Sequence, residues 1–326
     1  MKHTIAIQLE SAALWHSLGG DVAEALEDPL VTDLLLNADG KLWVDRTGHG
    51  RSFTGATIDV HEANSILRLL AHHAGVPVTR DCPLVSATLP GTGERFAGTM
   101  PPTTERPTFA IRKPPAKTFA IEAFLADAAD TATVTADDES GGHPHATALT
   151  RAVAAKKNIL IAGSTGSGKT SLLSCLLALP SVQADRCLVL EDTQEILIDA
   201  PDSVRMLTSS TITMRDLVRQ CLRYRPDRLI LGEVRGTEAL DLVFALNTGH
   251  GGSFSTIHAN SAEDAIARLE DLCSTAAVNV PRRAIATAFQ CIAFVRRTAQ
   301  GRRIEDVLNV AGFDAASGRY LTTSTH

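Results

Sequence analysis

The chain has 326 residues, of which 44% are hydrophobic, 21% charged and only 4% aromatic, with a formal net charge of −6. At roughly 100–200 residues per domain this length suits about two domains, and their cores must be aliphatic. The acidic balance argues against a general nucleic-acid coat, and the scarce aromatics leave no stacking platform for single strands. No apolar run reaches the roughly 18 residues of a membrane span. No N-terminal basic-then-apolar signal is present either, so a cytoplasmic chain is expected.

Taken in chain order, residues 1–112 read as a smaller α+β domain. "SAALWHSLGGDVAEALED" (residues 11–28) has helical apolar spacing. "DLLLNADGKLWVDR" sets two short apolar runs around a turn signal and predicts a hairpin. "HEANSILRLLAHHAG" predicts an amphipathic helix stopped by Gly75. "PLVSATLPGTGERFAGTMPP" predicts a second strand pair, and "PTFAIRK" a closing strand. Residues 113–148, with a Pro pair and an acidic, Gly-containing centre, read as a partly flexible linker. The "HPH" inside it reads as an exposed turn. The six cysteines are dispersed without a C-x-x-C pair and read as buried free thiols.

From residue 149 to 326 the pattern changes. The aliphatic runs "NILIAG", "RCLVLED", "RLILGE" and "SFSTIHA" alternate with the helical segments "SLLSCLLAL", "MRDLVRQCLRY", "EALDLVFALN" and "AEDAIARLEDL". Such alternation predicts a doubly wound, mostly parallel sheet with helices on both faces.

Within this domain "GSTGSGKT" fits G-x-x-x-x-G-K-[ST] and sits between a strand and a helix, where the phosphate-binding mechanism needs it. The candidate nucleotide-binding residues are Gly163, Ser164, Thr165, Gly166, Ser167, Gly168, Lys169, Thr170 and Ser171. Backbone N–H groups would wrap the phosphates, Lys169 would reach the β- and γ-phosphates, and Thr170 would offer its hydroxyl to Mg²⁺. ATP and Mg²⁺ are therefore the expected ligands.

In a doubly wound sheet, ligands bind beyond the carboxyl ends of the strands. Three strand ends carry suitable groups. Glu191 and Asp192 follow "RCLVL", and either could hold attacking or metal-bound water. Glu233 ends "RLILG" and is the candidate for activating a hydrolytic water, with Mg²⁺ support as a second role. His258 ends "SFSTI" on the same rim, whereas His250 lies earlier in a glycine loop. Arg223, Arg225 and Arg228 are candidates for phosphate or inter-subunit contacts.

In that order "GSTGSGKT", "LEDTQEI", "RPDRLILGEVRG" and "TGHGGSFSTIHANS" resemble the Walker A loop, Asp box, Walker B and His box of the secretion-ATPase superfamily. That superfamily powers type II and type IV secretion, pilus assembly and conjugation. "DPLVTDLLLNADGKLWVDR" and "ERFAGTMPPTTERPTFAIRKP" resemble the N-terminal domain of its type IV secretion members, and most of all its conjugal-transfer branch. The resemblance covers residues 25–115 and 149–310.

It implies a P-loop (RecA-like) C-terminal domain and a homo-hexameric ring that holds ATP between its two domains. Arg95 and Arg112 would reach the phosphates, and His258 would face the γ-phosphate, while His250 orders its loop. The partners implied are inner-membrane channel components of a secretion or conjugation apparatus, with the ring peripheral at the inner face of the cytoplasmic membrane. Alternatives are a pilus or type II secretion ATPase, or a nucleotide-gated assembly scaffold with little turnover. The acidic stretch 129–147 matches no family motif.

Overall fold

A computed structural model describes residues 18–47, 49–89, 93–113, 121–124, 143–209, 211–298 and 301–325. The start of the first expected helix (residues 11–17) and most of the acidic stretch (residues 129–142) lie outside the described residues. The chain divides into two units, residues 1–116 and 117–326.

The first unit contains α1 (Gly20–Glu27), β1 (Val31–Leu36), β2 (Lys41–Arg46), β3 (Gly50–Thr57), α2 (Val60–His73), β4 (Leu84–Thr88), β5 (Arg95–Thr99) and β6 (Thr108–Arg112). Its strands form one six-stranded sheet in the order β3-β2-β1-β6-β5-β4, and every neighbouring pair is antiparallel. The "NADG" hairpin forms as expected, closed by the Gly40 N–H donating to the Asn37 carbonyl at 3.0 Å.

Helix α2 starts where the Asp59 carboxylate accepts from the His61 and Glu62 N–H groups, at 2.7 and 2.9 Å. Its apolar stripe, Ala63, Ile66, Leu67, Leu70 and Ala71, is buried against Leu34, Leu42, Phe96 and Ile111 of the sheet. Strand β3, absent from the sequence reading, is an almost wholly exposed edge.

The second unit opens with a 3₁₀ turn at Ile121–Phe124. It continues with α3 (Pro144–Ala154), β7 (Ile159–Ala162), α4 (Lys169–Leu177), α5 (Pro180–Gln183), β8 (Cys187–Glu191), β9 (Ser203–Leu207), α6 (Met214–Cys221), β10 (Arg228–Val234), α7 (Glu238–Leu246), β11 (Phe254–Ile257), α8 (Ala262–Ser274), α9 (Arg282–Ala288), β12 (Cys291–Thr298), β13 (Gly301–Asp314) and β14 (Arg319–Ser324). The eight strands run in the order β14-β13-β12-β7-β11-β10-β8-β9. From β12 to β9 all neighbours are parallel, and β13 and β14 extend the sheet in antiparallel pairing.

Alternate residues of the buried strands feed two cores. Leu160, Leu188, Leu190, Leu229, Leu231 and Ile257 join the core that contains residues of α6, α7, α8 and α9. Ile159, Ile161, Val189, Ile230 and Phe254 join the one with α3 and α4. Strands buried on both faces explain why they read as unbroken aliphatic runs.

Three expectations need correction. The "HPH" is a helix start: His143 is the N-cap of α3, its ring accepting from the His145 N–H at 3.3 Å, with Pro144 in the first turn. Cys82 is exposed, although the other five cysteines are buried. Arg228 is completely buried at the amino end of β10, so it is neither a surface contact between subunits nor on the Glu233 rim. It donates to Asp185 Oδ2 at 2.7 Å, the Gly252 carbonyl at 2.9 Å and the Ser181 carbonyl at 3.0 Å. Arg223 and Arg225 precede it at that same end, opposite Glu233.

Removing one member of a buried ion pair strands the other. Arg228→Ala is therefore expected to destabilise the sheet unit by about 3 kcal/mol, read as a lower urea midpoint of the full chain. A midpoint equal to wild type would contradict this role.

Candidate nucleotide site

Register brings the site together. Ile257 pairs with Ala162, and Val234 pairs with Ile257. The residues just beyond or at these ends, Gly163, His258 and Glu233, therefore share one rim of the sheet.

The β10–β11 ladder is irregular between Leu231 and Val234. There the Leu231 and Gly232 carbonyls accept side-chain hydroxyls of the neighbouring strand, Ser255 Oγ at 3.0 Å and Thr256 Oγ1 at 2.6 Å. A local departure from the ladder of this kind re-aims a side chain, here Glu233. Ser255 and Thr256 were not singled out in the sequence, because their meaning depends on which strand they face.

The loop from Gly163 to Gly168 bridges β7 and α4. A side chain on Gly163 would put a Cβ 2.4 Å from the Val295 carbonyl and 2.5 Å from Ser167 Oγ, so the turn tolerates only glycine. Lys169 folds back into the loop and is 7% exposed. Its Nζ donates to the Gly163 carbonyl at 2.9 Å and the Ser164 carbonyl at 3.0 Å, and lies 3.2 Å from His258 Nδ1. The Ser167 hydroxyl is buried without a hydrogen-bond partner. Thr170 and Ser171 follow in the first turn of α4.

His258 links this lysine to Glu233, with Nε2 2.7 Å from Glu233 Oε1. That oxygen makes no in-line hydrogen bond among the described residues, so the two atoms are close without hydrogen-bond geometry. An ammonium only donates and a carboxylate only accepts, so a neutral ring here carries its proton on Nε2. Burial and the Lys169 charge hold His258 below its ordinary value of 6.5, while Glu233 opposes them. Burial likewise lowers the Lys169 ammonium, against the pull of Glu233.

Arg235, also missed in the sequence, grips Glu233. Its Nε donates to Glu233 Oε2 at 2.8 Å and its Nη2 reaches the same oxygen, while Nη1 lies 3.4 Å from Asp192 Oδ2. Glu238 shapes that turn by accepting from the Arg235 and Gly236 N–H groups, both at 2.7 Å. Asp192 also accepts from Thr208 Oγ1 at 3.0 Å.

Glu191 has different surroundings. It is 3% exposed, and its Oε1 accepts from the Glu195 and Ile196 N–H groups, each at 2.8 Å. Its Oε2 sits 3.2 Å from Arg205 Nε, again without hydrogen-bond geometry. Burial pushes its carboxyl up, against those two N–H bonds. A Cβ on Gly232 would meet Glu191 Cγ at 3.3 Å. The glycine before Glu233 thus makes room for this buried carboxylate. His250 is bonded within its own loop, Nδ1 lying 3.2 Å from the Ala245 carbonyl and 3.1 Å from Thr248 Oγ1.

Arg95 and Arg112 belong to the first unit. They face each other across β5 and β6, and Arg112 Nε donates to Asp33 on β1 at 2.7 Å.

The family model described as "Type II/IV secretion system protein" matches residues 132–310. "Conjugal transfer protein TrbB" of Rhizobium radiobacter is 35% identical over 302 residues, covering 92% of this chain and 90% of its own. "Type IV secretion system protein PtlH" of Bordetella pertussis is 33% identical over 264 residues, covering 74% of this chain and 77% of its own. Among solved structures, the Legionella pneumophila ATPase DotB matches with a TM-score of 0.59 at 15% identity, over 93% of this chain and 78% of that one. At that identity the likeness carries the fold alone. The match to TrbB runs along nearly the whole of both chains, and with the family model it leaves one conclusion: the chain belongs to the type II/IV secretion system protein family, as a TrbB-like secretion ATPase.

Proposed function

We propose that the second unit is a RecA-like P-loop domain that binds and hydrolyses ATP at the rim described above, coupling turnover to the work of a conjugation or type IV secretion apparatus. The observation that carries this reading is the continuous chain of contacts from Lys169 through His258 to Glu233. It joins a phosphate-binding cation to a carboxylate that can activate water.

The residues fit a nucleotide. Lys169 spends its charge on loop carbonyls, and the Ser167 hydroxyl is buried without a partner; phosphate oxygens satisfy both. Thr170 would hold Mg²⁺, with Asp192 or Glu233 taking its water ligands, and the ion would neutralise charge that develops on the phosphates. Glu233 orients the hydrolytic water once Arg235 releases its carboxylate, and His258 senses the γ-phosphate. Glu191 acts through the loop that it pins rather than on water.

Arg95 and Arg112 are the arginines assigned to the phosphates, a task that suits the rigid guanidinium fork. Loss of the γ-phosphate frees these contacts and lets the units move. The working assembly is a homo-hexamer in the cytoplasm, resting against inner-membrane channel components and the membrane surface. No described helix is long and apolar enough to cross a membrane.

Removing a group that activates the nucleophile costs about 10²–10⁴ in rate. Glu233→Gln is therefore expected to lower steady-state ATP turnover at least about 100-fold while Mg·ATP still binds. Wild-type turnover in this variant would remove Glu233 from the role. Turnover near zero in the wild-type hexamer, with ATP bound, would instead favour the scaffold reading.

The His258 shift has a definite sign. A histidine whose folded value lies below 6.5 takes up its proton more readily when unfolded, so its stabilising contribution is complete above 6.5 and declines as pH falls below it. Urea midpoints measured from pH 7.5 down to 5.5 should fall less steeply in His258→Gln than in wild type. Equal slopes would mean that His258 does not sense this environment.

A further inference from the structure

Strands β12 and β13 form a hairpin that runs past the rim on the flank of β7 opposite Glu233. Phe294 is the last β12 residue paired with β7, against Ala162. Beyond it Val295 to Thr298 continue, pairing with β13 as far as Gly301. The overhang touches the phosphate loop twice. The Val295 carbonyl abuts Gly163, and Arg302 lies over Gly168, where a Cβ would stand 2.6 Å from Arg302 Cδ.

From there Arg302 Nη1 donates to Ser171 Oγ at 3.0 Å, in the first turn of α4. Arg297 faces Arg302 across the hairpin, and burial together with that neighbouring charge lowers the Arg302 guanidinium from its ordinary value.

The order of contacts along a phosphate loop identifies the anion. The lysine reaches the β- and γ-phosphates, and the loop backbone cradles the α- and β-phosphates. His258 and Glu233, on β11 and β10, take the γ end. The strand order β12-β7-β11-β10 puts Arg302 on the other flank, the side left for the α-phosphate once the γ end is taken.

We propose that Arg302 is a nucleotide-binding residue that holds the α-phosphate, exchanging its bond to Ser171 for the phosphate oxygens. The proposal rests on the nucleotide reading of the loop given above. An α-phosphate contact is common to ADP and ATP, so it contributes uniform binding rather than γ-phosphate discrimination.

The test is calorimetric titration of the full-length protein with Mg·ADP and with a non-hydrolysable Mg·ATP analogue. Arg302→Ala is expected to weaken both by a similar factor of about ten or more, the size of one charge-assisted bond. Arg302→Lys, which keeps the charge and gives up the fork, should recover part of that loss. If the alanine variant binds both nucleotides as wild type does, or loses only the ATP analogue, the proposal is wrong. If the nucleotide-free alanine variant also melts early, the lysine variant decides: no recovery of ADP affinity assigns Arg302 a bracing role and overturns the proposal. Failure of the wild type to bind either nucleotide would defeat the nucleotide reading itself.

Discussion

A lysine ammonium taken out of water, met among the described residues by two carbonyls and a histidine ring, is the constraint on which the rest of the site depends. Lys169 is buried at the base of a loop that has no carboxylate of its own, and desolvating a charge is costly unless it is met by dipoles or a counter-charge. The Gly163 and Ser164 carbonyls supply the dipoles. Glu233 supplies the counter-charge at one remove, through His258. Phosphates satisfy the same need better, because they bring both the charge and the acceptor oxygens.

Much of the sheet unit exists to hold that arrangement in register. Three parallel strands end together, and the hydroxyls of Ser255 and Thr256 fix the irregular end of β10. At the opposite end of β10, Arg228 ties the strand to Asp185, Ser181 and Gly252. In the nucleotide-free arrangement Arg235 holds the Glu233 carboxylate. On the role proposed for Glu233, the resting site keeps that carboxylate engaged, and turnover would require the grip to be exchanged.

Although β12, buried from Cys291 to Val295, was passed over, strands β7, β8, β10 and β11 were legible because fully buried strands leave unbroken aliphatic runs, and because Gly163, Glu233 and His258 each close one. The edges were not. β9 and β14 are only partly buried, and β3 is almost wholly exposed, so their apolar content is too low to stand out. The linker expectation failed at both ends for a similar reason. Phe124 is one aromatic in a polar stretch, yet it is buried against the α3–α4 core. "HPH" carries no apolar signal, although His143 caps a helix. Arg235, Ser255, Thr256 and Arg302 acquire roles only through cross-strand neighbours, which residue type alone does not reveal. The sequence puts Glu191 at a strand end, but only the fold reveals its burial and the two N–H groups from which its Oε1 accepts.

The central claim is that Lys169, His258 and Glu233 form one resting chain of contacts that ATP takes apart. The most direct measurement is a structure of the full chain with Mg²⁺ and a non-hydrolysable ATP analogue. The account predicts Lys169 Nζ withdrawn from the Gly163 carbonyl and His258 Nδ1 onto phosphate oxygens, with the γ-phosphate between Lys169 and Glu233. A nucleotide bound with Lys169 still on the loop carbonyls, or with its γ-phosphate away from His258 and Glu233, would contradict it.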